Sequence, residues 1–290
     1  MNIRACIKLL RPHQWLKNGF VFAPIFFGFK LFDSHLLSRT LVAFAAFCLA
    51  ASAMYVLNDL RDIEADREHP TKRNRPLASG AISRKAAQVI LTVLLLAGIA
   101  TAASLNLTCL GLTLGYIALN TAYSLKLKHL ALIDIFCIAT GFVLRILMGG
   151  FATGIALSHW IVSVTFLLAL FLALAKRRDD VKLFLNGSDV RTAIEDYNLK
   201  LIDTALAIIA AVTLVAYIMY TVSPEVIAGF GTDYVYLTTV FVLLGLLRYL
   251  QLVYVFEEGA APTMVLIKDR FLQLTIIGWI ASFLIIIYKP

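Results

Sequence analysis

Four oxygen-bearing side chains stand close together in the chain, Asn58, Asp59, Asp62 and Asp66. If one helix runs through them, at about 100° per residue, Asn58, Asp62 and Asp66 step by roughly 40° each, and Asp59 falls within the same arc of about 100°. Carboxylates crowded on one face repel and raise one another's pKa. A divalent cation resolves that conflict, and Mg²⁺ usually binds one or two carboxylates together with substrate phosphates. A basic stretch follows at once, with Lys72, Arg73 and Arg75. Arginine forks match phosphate oxygens, whereas lysine supplies a point charge. Acids followed by cations can hold both halves of a magnesium diphosphate. The plainer reading is a solvated helix end with i,i+4 pairs to Arg61 and Arg67, worth only a few tenths of a kcal/mol each. Against it, the acids adjoin an apolar run, Asn58 opens the series, and Pro70, Pro76 and Gly80 shape the basic stretch into a loop.

A second group comprises Tyr123, Lys126, Lys128, Asp134 and Arg145. Asp134 and Arg145 are 11 residues apart. Close to three helical turns, that spacing puts them nearly on one face, but the rise of about 16 Å is too long for a direct ion pair. Ionisable residues inside an apolar segment are functional-site candidates by default. Lys126 and Lys128 also read as topology determinants. Further cations for anionic groups are Lys17, beside Asn18, and the cluster Lys176, Arg177 and Arg178. His13, His69 and His129 lack metal-ligand spacing.

The elements that must position these groups are membrane helices. Of the 290 residues, 60% are hydrophobic and 15% charged, with a mean hydropathy of +0.84. The bilayer must be the solvent for much of such a chain. A net charge of +8 would suggest nucleic acid as the partner of a soluble protein, but here the basic residues sit in short loops, which points to membrane orientation and anionic substrates. Cys6, Cys48, Cys109 and Cys137 lack Cys-x-x-Cys spacing and read as small core residues. Nine candidate spans of predominantly apolar residues lie at about 18–32, 37–57, 86–105, 107–124, 131–151, 158–175, 201–222, 234–255 and 272–288. The first reads as a span, not a cleaved signal. The expectation is an all-α integral membrane protein forming a single domain over residues 1–290. With the N-terminus in the cytoplasm, 21 Lys and Arg fall on that side and only Lys30, Arg39 and Lys289 on the other. The positive-inside rule therefore puts the N-terminus and the polar loops in the cytoplasm.

The sequence resembles the UbiA superfamily of intramembrane prenyltransferases over nearly its whole length. The resemblance rests on Asn58-Asp59-x-x-Asp62-x-x-x-Asp66, on Lys72-Arg73-x-Arg75-Pro76-Leu77-Ala78-Ser79-Gly80, and on Tyr123-Ser124-x-x-x-Lys128 with Asp134 downstream. It implies nine helices around a central cavity, with Mg²⁺ held near the cytoplasmic face by two acidic motifs. In this chain the metal ligands would be Asn58, Asp59, Asp62 and Asp66, and Asp134 would join Asp59, Asp62 and Asp66 in catalysis. The chain departs from the prenyl-transferring pattern at the second motif, where Ile138 stands four places after Asp134 instead of a second Asp.

Other segments are similar to a narrower branch, the decaprenyl-phosphate phosphoribosyltransferases. They are Arg11-Pro12-His13-Gln14-Trp15-Leu16-Lys17-Asn18, Asp62-x-Glu64-Ala65-Asp66-Arg67-Glu68-His69-Pro70-Thr71-Lys72-Arg73, Lys176-Arg177-Arg178, Arg248-Tyr249, Gly259-Ala260-Ala261-Pro262 and Asp269-Arg270. That likeness implies a bacterial inner-membrane transferase with 5-phosphoribosyl 1-diphosphate as donor and a polyprenyl phosphate as acceptor. Lys17, Asn18, Lys72, Arg73, Arg75, Tyr123, Lys126, Arg145, Lys176 and Arg177 are then the expected substrate contacts. A homo-oligomer is compatible with it. The rival readings are a prenyltransferase that alkylates an aromatic acceptor with the same magnesium site, and a transporter. A transporter would show broken helices with charges at the bilayer midplane, whereas these polar residues gather in loops at one face.

Overall fold

The computed structural model describes residues 3–68, 72–186, 194, 196–256 and 262–287, and every regular element among them is helical. The chain divides into two compact units, Met1–Leu127 with Gly141–Leu157, and Lys128–Thr140 with Ser158–Pro290.

The first unit holds α1 (Ile3–Leu10), a 3-10 segment (Pro12–Phe22), α2 (Ala23–Phe27), α3 (Ser34–Arg61), α4 (Ile63–Glu68), α5 (Arg84–Ala103), α6 (Leu107–Leu125) and the later part of α7 (Ile133–Thr153). Short polar residues start the long helices, because a side-chain oxygen can satisfy the otherwise unpaired amides of the first turn. Asp33 accepts from the amides of His35 and Leu36 ahead of α3, Ser83 from Ala86 ahead of α5, and Asn106 from Cys109 ahead of α6. Alanines at a 3–4 spacing, Ala43, Ala46, Ala50 and Ala53, form a fully buried face of α3. Such small residues let helix backbones approach closely within a membrane. Gly98 of α5 uses that approach, since a Cβ there would stand 3.3 Å from the Ala50 nitrogen. Gly149 of α7 is more demanding, because a Cβ would fall 2.1 Å from the Val21 carbonyl oxygen. The 3-10 segment therefore lies directly on α7.

The second unit holds the start of α7, then α8 (His159–Leu185), α9 (Leu199–Thr221), α10 (Pro224–Phe230), a 3-10 segment (Asp233–Thr238), α11 (Thr239–Tyr254), α12 (Pro262–Lys268) and α13 (Arg270–Ile287). Ser158 and Asn198 cap α8 and α9. Arg178 of α8 ties this unit together. Its Nε donates to Asp203 of α9 at 2.6 Å, its Nη1 to the Val253 carbonyl of α11 at 3.0 Å, and its guanidinium lies over the Tyr254 ring.

Among the described residues, six segments are long and apolar enough to cross a membrane, Ser34–Arg61, Arg84–Ala103, Ile133–Thr153, His159–Leu185, Leu199–Thr221 and Asp233–Tyr254. The protein is a multi-pass membrane protein. The expected spans at 107–124 and 272–288 coincide with α6 and α13, and α13 is the shorter apolar helix. The expected span at 18–32 does not form a long helix. Pro12 and Pro24 each open a new short segment, and Arg11 and Phe29 hold positive φ. Proline tolerates a first turn but removes a donor from a helix interior, so this stretch becomes a 3-10 segment followed by a five-residue helix. Lys176, Arg177 and Arg178, expected in a loop, stand instead on α8, which continues to Leu185.

Candidate functional site

Among the described residues, each unit contains a buried carboxylate paired with arginine. In the first, α3 delivers Asp59, only 1% exposed, to two guanidinium groups. Arg11 Nη2 lies 2.5 Å from Asp59 Oδ1, and Arg75 Nη1 lies 3.2 Å from the same oxygen. Arg75 Nη1 also donates to Asp66 Oδ2 at 2.6 Å, so one nitrogen bridges two of the expected metal ligands. The expectation of one helix to Asp66 needs a correction. The helix breaks at Asp62, the C-cap of α3, while helical hydrogen bonds from the Asp62 amide to Asn58 O and from the Asp66 amide to Asp62 O continue on either side. Asn58 Nδ2 donates to Asp62 Oδ2 at 3.0 Å. Arg75 joins Asp59 and Asp66 across the bend, and Asp62 is held by Asn58.

Local structure fixes the arginines. Arg11 has φ of 53°, in the left-handed region that costs a non-glycine residue roughly 1 kcal/mol or more. There its guanidinium stacks 5.0 Å over the Tyr55 ring. Arg75 leaves a short 3-10 turn, Lys72–Asn74, whose Asn74 carbonyl accepts from Lys8 Nζ at 2.9 Å. Asp59 Oδ2 is buried and has no hydrogen-bond partner among the described residues. Such an orphan acceptor is costly to bury and is the atom an incoming cation or its water would meet. Among the described residues no three His, Cys, Asp or Glu side chains stand ready to hold a metal ion. The donors are nonetheless of the hard oxygen kind that Mg²⁺ takes, and the orphan oxygen gives the ion a first ligand, so the residues fit it.

In the second unit, Asp134 is fully buried and both its oxygens are engaged. Arg177 Nε lies 2.5 Å from Oδ2, and the Tyr197 hydroxyl donates to Oδ1 at 2.8 Å. Arg177 also pairs with Asp180. The Tyr197 oxygen accepts from the Leu132 amide at 2.7 Å, where Leu132 has φ of 68°. Burial pushes the Tyr197 phenol up, well above its usual range, so it stays a neutral donor. Tyr197 and Arg11 are absent from the expected site residues. A tyrosine just before a helix cap carries no local signal of this role, whereas Arg11 could have been found as an arginine immediately before Pro12 in a run that resembles the family.

Asp134 and Arg145 do not pair, as their spacing requires. Arg145 is buried and donates to Asn18 Oδ1 at 2.7 Å, to the Gly141 carbonyl at 2.6 Å and to the Tyr116 hydroxyl at 3.1 Å. It makes no ion pair with any described carboxylate, and the rings of Tyr116 and Phe142 cover it. Asn18 and Arg145, both expected at substrate, thus hold each other. Arg73, Lys126 and Lys176 are exposed, and Lys17, Lys72 and Tyr123 are half-buried. The segments His69-Pro70-Thr71 and Gly259-Ala260-Ala261 lie outside the described residues.

These helices and their buried aspartate centres are the frame against which the chain's relatives can be read. The family model for UbiA prenyltransferases matches residues 21–284, and the chain belongs to that family. It is a transferase. The chain is 32% identical to the decaprenyl-phosphate phosphoribosyltransferase of Corynebacterium glutamicum, over 97% of this chain and 86% of that one. It is 31% identical to the protein of the same name from Mycobacterium tuberculosis, over 97% and 93%. Among solved structures, a UbiA homolog from Archaeoglobus fulgidus bound to GPP and Mg²⁺ superposes with a TM-score of 0.74 and 20% identity, covering 98% of this chain and 99% of that one. At that identity the likeness is one of fold.

Proposed function

We propose that this protein transfers 5-phosphoribose from 5-phosphoribosyl 1-diphosphate to a polyprenyl phosphate and releases diphosphate. The observation that carries the reading is identity spread over nearly the whole chain to relatives named for that reaction. The second centre supports it, because Ile138 replaces a second acid and both oxygens of Asp134 are already held by Arg177 and Tyr197.

The acceptor's phosphate oxygen attacks C1 of the ribose as the bond from C1 to the diphosphate oxygen breaks. The nucleophile is already an anion, so no strong general base is required. Rate comes from holding the phosphate in line with C1 and from stabilising the charge that moves onto the leaving group. Asn58, Asp59, Asp62 and Asp66 would hold Mg²⁺, which when bound would supply Lewis-acid neutralisation of the diphosphate. Lys72, Arg73 and Arg75 hold the diphosphate oxygens. Lys17, Tyr123 and Lys126 of the same unit supply contacts to the remaining phosphate groups. Asn18 and Arg145 act as positioning residues by pinning the 3-10 segment to α7. Arg177 positions Asp134. The membrane is the bacterial inner membrane, with the N-terminus and these loops in the cytoplasm.

The test is diphosphate release by purified protein in detergent with Mg²⁺, donor and polyprenyl phosphate. Release that needs the lipid phosphate, stops with EDTA and is lost in Asp59→Asn supports the reading. Release that is indifferent to the lipid phosphate overturns it.

A further inference from the structure

The first carboxylate centre already contains a cation where a metal would sit. Arg75 Nη1 reaches Asp59 Oδ1 at 3.2 Å and Asp66 Oδ2 at 2.6 Å. A magnesium ion bridging the same two carboxylates needs those oxygens at about 2.0–2.1 Å, and it would occupy the space of that nitrogen. Two carboxylates, Asp59 and Asp66, meet two guanidiniums, Arg11 and Arg75. Adding a divalent ion to this balanced group leaves an excess of positive charge in a largely buried place. Adding a diphosphate with it offsets that excess.

We propose that Arg75 is an exchangeable internal cation, which neutralises Asp59 and Asp66 in the unliganded protein and moves onto the diphosphate when metal and donor arrive. The inference rests on the metal and donor reading above and adds the coupling between the two ligands. The two arginines differ in the way exchange requires. Arg11 is held by its left-handed backbone, by Pro12 after it and by the Tyr55 ring beneath it. It stays as the permanent partner of Asp59 Oδ1. Arg75 is 26% exposed and comes from a turn rich in cations, and its planar fork suits a phosphate as well as a carboxylate. The orphan Asp59 Oδ2 gives the entering ion a ligand before Arg75 has left. A metal therefore binds weakly alone and tightly with a diphosphate, which keeps the carboxylates neutralised between turnovers.

The test uses the full chain in detergent, Mn²⁺ as a spectroscopic stand-in for Mg²⁺, and inorganic diphosphate as the anion. Protein-bound Mn²⁺ is read by equilibrium dialysis, from the electron paramagnetic resonance of the acid-released ion on each side, with the same diphosphate on both sides. Wild type should bind Mn²⁺ weakly, and more tightly once diphosphate is added. Arg75→Met should bind Mn²⁺ alone about 10- to 100-fold more tightly than wild type, the size expected for removing one charge-assisted competitor, and diphosphate should add little. Arg75→Lys, which keeps the charge without the fork, should fall between them and serves if the methionine variant does not fold. Equal Mn²⁺ affinity in wild type and the folded variants overturns the exchange while leaving the metal site intact. No Mn²⁺ binding by any folded form, with or without diphosphate, overturns the metal reading and the exchange together.

Discussion

The two carboxylate centres use the same chemistry, aspartate against arginine, and differ in how completely it is closed. Asp134 and Arg177 are 0% and 2% exposed, and a tyrosine hydroxyl takes the remaining oxygen. Asp59 is as deeply buried, but its partners Arg11 and Arg75 are 19% and 26% exposed, and one of its oxygens has no partner among the described residues. Burying a charge without complete pairing costs several kcal/mol. A fully satisfied centre serves position, whereas an incompletely satisfied one beside solvent-accessible cations is suited to exchange ligands. On the proposed function, the open centre is the one that meets substrate and the closed centre is the one that holds its own unit together.

Substitutions can break this comparison. The largest expected effect is on activity at the open centre. Asp59→Asn should lower turnover by about a hundredfold or more with near-normal insertion and thermal stability, measured by diphosphate release and by melting in detergent. The closed centre should behave in the opposite way. Arg177→Met leaves Asp134 buried without its cation and should cost about 3–5 kcal/mol. The double variant Arg177→Met with Asp134→Asn should recover part of that loss, as read by melting of the single and double variants. Equal destabilisation by Asp59→Asn and Arg177→Met would erase the distinction.

A smaller effect sharpens the account of how the first unit is built. Gly149→Ala pushes a methyl group against the Val21 carbonyl and should destabilise by about 1–3 kcal/mol. Gly111→Ala, with open space around its Cβ, should be neutral. The smallest effect concerns pH. The hydrogen bond from Arg248 holds Asp269 below its ordinary carboxylate range. Its contribution is present above the unfolded value near 3.9 and is lost as pH falls through the lower folded value. Arg248→Met should therefore remove under about 1 kcal/mol above pH 4, and the difference from wild type should vanish in stronger acid, as read by melting against pH.

Much of this was legible in the residues. Eight of the nine expected spans coincide with helices because apolar length is a strong signal. The first failed because Pro24 interrupts an apolar run whose composition still reads as a span. Asp59 and Asp66 could be grouped from their spacing. Their shared partner Arg75 could be listed as a neighbouring cation, but its bridging position depends on the fold of the loop. The partners of Asp134 and Arg145 were not legible at all. Arg177, Tyr197 and Asn18 are 43, 63 and 127 residues away in sequence, and no local pattern records such contacts.

Phosphoribosyl and prenyl transfer differ in which group moves onto which acceptor. The most direct measurement offers the purified protein 5-phosphoribosyl 1-diphosphate and geranylgeranyl diphosphate together, with Mg²⁺, polyprenyl phosphate and an aromatic acceptor, and identifies the lipid product by mass spectrometry. The account predicts a phosphoribosylated polyprenyl phosphate and no prenylated aromatic product. A prenylated aromatic product, with the polyprenyl phosphate unchanged, would contradict it.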